Sequence, residues 1–199
     1  MLIDTNSPFY AAVAIGSTKV TGMVGRVDSE GAVNVLSYVA VSSADFIRKG
    51  RVYNVDKMTQ CLKNIRKRLE DQINCDIKQV YVALNCQGMR SITHIEERTF
   101  PQRITVQQEL IESLKADNRD KISHDQILID TLPQEYTMGA FSTVEPVGVM
   151  TDRIRAQFLN IVCNASAIEA IESCFRKAGL PIVRHTMAAD RLANVMTDE

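Results

Sequence analysis

Almost no net charge is present in this 199-residue chain: 23 basic and 24 acidic residues leave a formal charge of −1. Without a long-range positive field, wholesale binding to nucleic acid is disfavoured. No apolar run approaches the roughly 20 residues needed to span a bilayer. The opening Met1-Leu2-Ile3-Asp4-Thr5-Asn6 lacks the basic and apolar regions of a secretory leader. Cysteine is limited to Cys61, Cys75, Cys86, Cys163 and Cys174, an odd number without a CxxC pair, and there are three scattered histidines. Neither a disulfide framework nor a zinc site is indicated, so reduced thiols are expected. What remains is the composition of a soluble globular protein, 45% hydrophobic and 24% charged, long enough for one or two domains.

The first third reads as strands separated by turns. Phe9–Ile15, Lys19–Val27 and Val33–Val41 are rich in Val, Ala and β-branched residues, and Asp28-Ser29-Glu30-Gly31 is a turn signal, giving a three-strand antiparallel meander. Val55, Met58, Leu62, Ile65, Leu69 and Ile73 then recur at steps of three and four and predict one helix face. The lysines and arginines around that helix are diluted by Asp56, Glu70 and Asp71, with no interleaved aromatics, as a solvated face would be. Val80–Leu84 is nearly all apolar, like a strand buried on both faces.

From about residue 86 to 160 the character changes. Ser91–Phe100 reads as a more polar strand. Thr105-Val106-Gln107-Gln108 fits a capping box opening a helix whose stripe is Val106, Leu110, Ile111 and Leu114. Gln126–Leu132, Tyr136–Phe141 and Ile154–Val162 are further strands, and Lys115–Lys121 is a mixed-sign stretch expected to be a solvated connection. A second capping box, Ser166 to Glu169, opens a helix stopped by Gly179 with Pro181 beyond. Leu180–His185 is a short strand, Met187–Met196 a last helix, and the abrupt end at Asp198-Glu199 suggests a truncated chain. The expected organisation is an α/β domain, residues 1–85 and 161–199, interrupted by a smaller α+β subdomain, residues 86–160.

The candidate site is the loop between the first two strands, Ala14-Ile15-Gly16-Ser17-Thr18-Lys19. Gly16 removes the side chain that would hold an oxyanion off the backbone, Ser17 and Thr18 offer hydroxyl and amide donors, and Lys19 supplies a compact positive charge. Successive N–H groups in such a turn can form an anion-binding nest. The competing reading is an ordinary hairpin turn with a strand-edge lysine. Elsewhere no nucleophile–base pair, metal cluster or carboxylate pair is visible. Glu135 and Tyr136 have no catalytic partner and read as a fold-specifying turn. His94, His124 and His185 sit in different elements, and Cys61 and Cys174 face inward as core thiols.

Four segments together resemble the FtsA family of bacterial actin-like cell-division proteins. They are Ala14–Val20, similar to that family's first phosphate loop; Lys49-Gly50-Arg51-Val52-Tyr53-Asn54-Val55 ahead of the long helix; Val80-Tyr81-Val82-Ala83-Leu84-Asn85; and Leu132-Pro133-Gln134-Glu135-Tyr136, followed by Pro146-Val147-Gly148 and Arg153. The resemblance implies an actin-like, ribonuclease H-like lobe (subdomain 1A, residues 1–85 and 161–199) with an inserted subdomain 1C (residues 86–160). It implies ATP with Mg bound by the complete protein, with Gly16, Ser17, Thr18 and Lys19 on the phosphates. The adenosine pocket, the second phosphate loop, the FtsZ-binding subdomain and the amphipathic membrane helix would lie beyond residue 199, so this chain alone is expected to bind nucleotide weakly or not at all. Implied partners are further copies in protofilaments, FtsZ, later division proteins at the insertion and, through the terminal helix, the inner face of the cell membrane; nucleic acid is not among them. Family loops carry Asp or Glu two residues before the glycine, where this chain has Ala14. Hydrolysis, at most slow, loses the carboxylate that would place the hydrated metal. Two alternatives share the first loop: a sugar or acetate kinase lobe and an actin-like pilus-assembly scaffold.

Overall fold

The computed structural model describes residues 9–85 and 88–187. The chain divides into two compact units, Met1–Gln87 with Ser166–Glu199, and Gly88–Ala165. The helix expected over Met187–Met196 and the chain end lie outside the described residues.

The first unit is built on strands β1 (Phe9–Ile15), β2 (Lys19–Val27) and β3 (Val33–Ser42), the small hairpin β4 (Ile47–Arg48) and β5 (Arg51–Val52), helix α1 (Val55–Ile73) and β6 (Val80–Leu84). Together β1, β2 and β3 form the expected meander. The chain returns to this unit in helix α3 (Ala165–Ala178) and strand β11 (Ile182–Met187). Its sheet has the order β11-β6-β1-β2-β3. Only β2 runs against its neighbours, since β1 and β11 both pair with β6 in parallel. This is the ribonuclease H-like arrangement that the resemblance implies. One face of the sheet collects the alternate residues Ala11, Val13 and Ile15 of β1, Val20 and Val24 of β2, and Val80, Val82 and Leu84 of β6, all buried.

Helix α1 covers the β2 part of that face with the predicted stripe: Met58, Leu62, Ile65 and Leu69 are buried, and Val55 and Ile73 are half-exposed at its ends. Asn54 caps it, its Oδ1 accepting from the Lys57 N–H at 2.9 Å. At Gly22 the helix meets the strand so closely that an added Cβ would fall 2.3 Å from Ile65 Cγ2. Helix α3 ends as expected at Gly179, whose φ of +70° suits a residue without Cβ. The Gly179 N–H donates to Arg176 O at 3.1 Å and the Leu180 N–H to Phe175 O at 3.0 Å, a Schellman ending.

The second unit is a four-stranded antiparallel sheet, β7 (Arg90–Thr105), β8 (Gln126–Met138), β9 (Phe141–Thr143) and β10 (Met150–Asn164), ordered β7-β10-β8-β9, with helix α2 (Gln108–Asp120). Its core is Val106, Ile111 and Leu114 against Tyr136, Met138, Ile154, Ala156 and Phe158. Tyr136 meets Phe158 edge-on, with ring centroids 6.2 Å apart. Under α2 a polar pair is fully buried: Asn118 and Asn160 exchange amide hydrogen bonds of 2.9 and 2.7 Å, and Thr131 Oγ1 donates to Asn160 Oδ1 at 3.0 Å.

Several expectations fail, each for an identifiable reason. Neither capping box forms. Thr105 is paired with Met150 in the β7–β10 ladder, so α2 starts after Gln107, which makes no side-chain cap bond. Ser166 lies inside the first turn of α3, which begins a residue earlier, where the Ala165 N–H donates to Asp125 O at 2.9 Å. Leu110 is on the rim of the core, only partly buried. Residues 115–120 continue α2 instead of forming a connection, with Lys115 bonded to Glu112 at 2.9 Å. Pro133 interrupts no strand: Gln157 pairs with Glu135 and Phe158 with Pro133, so Gln134 is the extra residue of a β-bulge. A proline lacks the N–H the ladder needs, and a bulge is where that loss is tolerated. The expected turn at Glu135 and Tyr136 is therefore continuous strand, with Tyr136 only 2% exposed.

Candidate functional site

Ser17 and Thr18 are the two central residues of the turn that joins β1 to β2, closed by the Gly16 N–H donating to Lys19 O at 3.0 Å. Two-residue hairpins favour primed turns, whose left-handed residues match the twist of the strands. Neither Ser17 nor Thr18 has a positive φ. A turn without that match needs outside support, and the segment after β3 supplies it. Ser43, fully buried, donates its hydroxyl to Gly16 O at 2.8 Å and its N–H to Thr18 O at 3.0 Å. Gly50, at the tip of the β4–β5 hairpin, donates its N–H to Ser17 Oγ at 2.9 Å.

These bonds revise the roles read from sequence. The Gly16 N–H is spent inside the turn, and a Cβ there would sit 3.0 Å from Lys19 O, so glycine serves the close strand approach. The carbonyls of Gly16 and Thr18 are turned toward Ser43. Left over, besides the Ser17 carbonyl, are donors: the Ser17 and Thr18 amides, which have no partner among the described residues, both hydroxyl protons and the Lys19 ammonium. Ser17, Thr18 and Lys19 are all exposed. The set is chemically suited to an anion and contains no carboxylate. Ala14, two residues before Gly16, pairs with Thr21 and Ala83 in the sheet and offers a metal nothing. Ser43 had no signal in the sequence, because one serine among several between apolar segments is indistinguishable; Gly50 carried a turn signal that the sequence reading passed over, the Lys49-Gly50 pair between Phe46-Ile47 and Val52-Tyr53.

The remaining singled-out residues are not brought together. His94 is in β7, His124 precedes β8 and His185 is in β11. His185 is half-buried, and that burial pulls its pKa down against the upward pull of Glu172, 3.6 Å away. No group of three or more potential metal ligands occurs among the described residues. Cys61 and Cys174 are buried free thiols as expected; burial pushes Cys61 up to about 11 and Cys174 upward too, leaving both unreactive. Cys163 departs from the expectation of reduced thiols: it is disulfide-bonded. Spacing along the chain could not foresee this, because a bridge depends on which cysteines folding brings within reach of each other. No described helix is long and apolar enough to cross a membrane.

The sheet order and the loop at the first hairpin define the class as an actin-like fold. A PilM–PilN type IV pilus biogenesis complex structure superposes with a TM-score of 0.56 over 90% of this chain and 47% of that one, at 14% identity, which speaks for the fold alone. In sequence the chain is similar to cell division protein FtsA, as the four segments implied. It is 28% identical to FtsA of Buchnera aphidicola from Schizaphis graminum over 185 residues, 87% of this chain and 43% of that protein. Identity is 25% with FtsA of Pseudomonas aeruginosa and 24% with that of Escherichia coli K12, covering 84% and 92% of this chain. The chain thus spans about two fifths of the length of the curated relatives it matches. No family model matches it.

Proposed function

We propose that this chain is the nucleotide-lobe and insertion portion of an actin-like scaffold for bacterial cell division. The carrying observation is the β1–β2 loop, with the Gly16 and Thr18 carbonyls bonded to Ser43 and the Ser17 and Thr18 donors and Lys19 left exposed, in a chain similar to FtsA along four fifths or more of its length. In this reading the loop holds the phosphates of ATP. The amides and hydroxyls of Ser17 and Thr18 donate to phosphate oxygens, Lys19 balances their charge, and Gly16 shapes the turn. Magnesium would be held by the phosphates and water, adding charge neutralisation, since Ala14 cannot reach its hydration shell. Binding without efficient hydrolysis suits a protein whose nucleotide state governs self-association. The unit Gly88–Ala165 would meet further copies and later division proteins, and FtsZ and membrane contacts would belong to other parts of the complete protein, at the inner face of the membrane.

The pilus-assembly reading is favoured by one observation, the PilM–PilN superposition. Depletion of the protein in its own host separates the two. The division reading expects filamentous cells, rescued by the wild-type gene and not by a Ser17→Ala/Thr18→Ala/Lys19→Ala version that still accumulates. Normal septation with loss of surface pili would overturn it, as would full rescue by the triple variant for the nucleotide role.

A further inference from the structure

Two non-glycine residues among those described have a positive φ, Lys49 at 51° and Asn74 at 52°. Asn74 is the left-handed C-cap of α1, a place asparagine suits. Lys49 has no such reason. It occupies the first central position of the two-residue turn between β4 and β5, with Gly50, φ 72°, at the second. A turn with both residues left-handed favours Asn-Gly, and lysine there carries a steric cost without the side-chain hydrogen bond that lets asparagine bear it.

Charge compounds the cost. Arg48 and Arg51 flank the turn as a directly opposed cross-strand pair, and like charges so placed repel. Arg48 lies over the Tyr53 ring, its guanidinium carbon 5.2 Å from the centroid. Lys19, Lys49 and Arg51 have no ion pair with any described residue. Yet this basic tip is not loose: Gly50 is buried and its N–H is bonded to Ser17 Oγ. That bond occupies a lone pair of the hydroxyl and leaves its proton to donate elsewhere. A lysine spans roughly 6 Å from Cα to Nζ, so an ammonium carried on the residue next to Gly50 reaches the space in front of Ser17.

We propose that Lys49 is a second phosphate-binding cation, acting with Lys19 to clamp the polyphosphate chain of a nucleotide at Ser17. The inference rests on the phosphate reading of the 16–19 loop and adds to it a residue from outside that loop. An anion there would offset the repulsion in the turn and use the donor that the Gly50 bond orients.

The test uses the 199-residue chain, labelled with 15N, titrated with sodium tripolyphosphate while the amide resonances of Ser17, Thr18 and Gly50 are followed. Saturable shifts at these amides are expected in the wild type. Lys49→Gln should weaken binding about five- to tenfold, as for a lost charge-assisted contact, and Lys49→Arg should stay within about twofold of wild type. Lys57→Gln, a loss of charge on exposed α1, should change affinity by less than about twofold. Lys49→Gly should bind as weakly as Lys49→Gln yet unfold at higher urea, because it relieves the turn. Unchanged affinity in Lys49→Gln, with the loop shifts intact, overturns this proposal and leaves the loop reading standing. Absence of saturable shifts at Ser17 and Thr18 in the wild type overturns the loop reading and the proposal together.

Discussion

Replacing Gly22 by alanine probes the contact that seats α1 on the sheet and so holds the loop's support in place. The new Cβ would lie 2.3 Å from Ile65 Cγ2 and 2.9 Å from Leu69 Cδ1. The Leu69 methyl is the end of a flexible side chain and can turn aside. Ile65 cannot: its γ2 methyl sits on a β-branched centre with one preferred rotamer in a helix, and the residue is 1% exposed. Relief requires α1 to back away from β2. Overpacking of this kind costs about 1–3 kcal/mol, against which the loss of glycine's freedom in the unfolded chain returns about 0.4–1 kcal/mol. A net loss of about 1–2 kcal/mol is expected, read as a lower urea midpoint at constant slope. A double-mutant cycle isolates the cause. Ile65→Ala alone should cost about 2–5 kcal/mol, but adding Gly22→Ala to it should cost nothing or stabilise, because the obstructing methyl is gone. A Gly22→Ala penalty that persists undiminished in the Ile65→Ala background would refute the close-contact argument.

Two further outcomes follow from burial and from charge. In α2, Leu114→Ala should cost about 2–5 kcal/mol and Leu110→Ala clearly less, since Leu114 is wholly buried and Leu110 sits on the rim of the core; equal losses in urea unfolding would contradict that assignment. Glu70 titrates below the ordinary carboxylate range: burial pushes its pKa up, but hydrogen bonds from Arg66 Nε and the Ile77 N–H, each 2.8 Å, outweigh it. A folded-state pKa below the unfolded one gives stability that is present above the unfolded value, about 4.3, and is lost as pH falls through the folded one. Glu70→Gln should therefore flatten the acid limb of the stability curve below about pH 4; an acid limb identical to wild type would count against the bonded carboxylate.

The elements were legible where periodicity and terminators agreed. The α1 stripe, the apolar and β-branched runs of β1, β2 and β6, and Gly179 as a helix stop need only neighbours along the chain, so the sequence specifies them by itself; that only one face of β6 is fully buried, not both, came from the structure. So does the loop's chemistry in outline, because two hydroxyl residues and a lysine between apolar strands are visible as a string. The capping boxes show the opposite case: their letters were correct, but Thr105 was already taken by a strand partner 45 positions away, Met150. The Pro133 bulge likewise depends on what lies across the ladder.

What the tertiary structure alone decided is which of the loop's polar groups remain available. Ser43 and Gly50 lie 27 and 33 residues from their partners, and no local pattern marks them as bonded to Gly16 and Ser17. Propensity and patterning act over a few residues. Hydrogen-bond satisfaction in a close-packed interior is settled between segments that meet only on folding, and there the Gly16 and Thr18 carbonyls were taken up by Ser43 while the loop kept its donors.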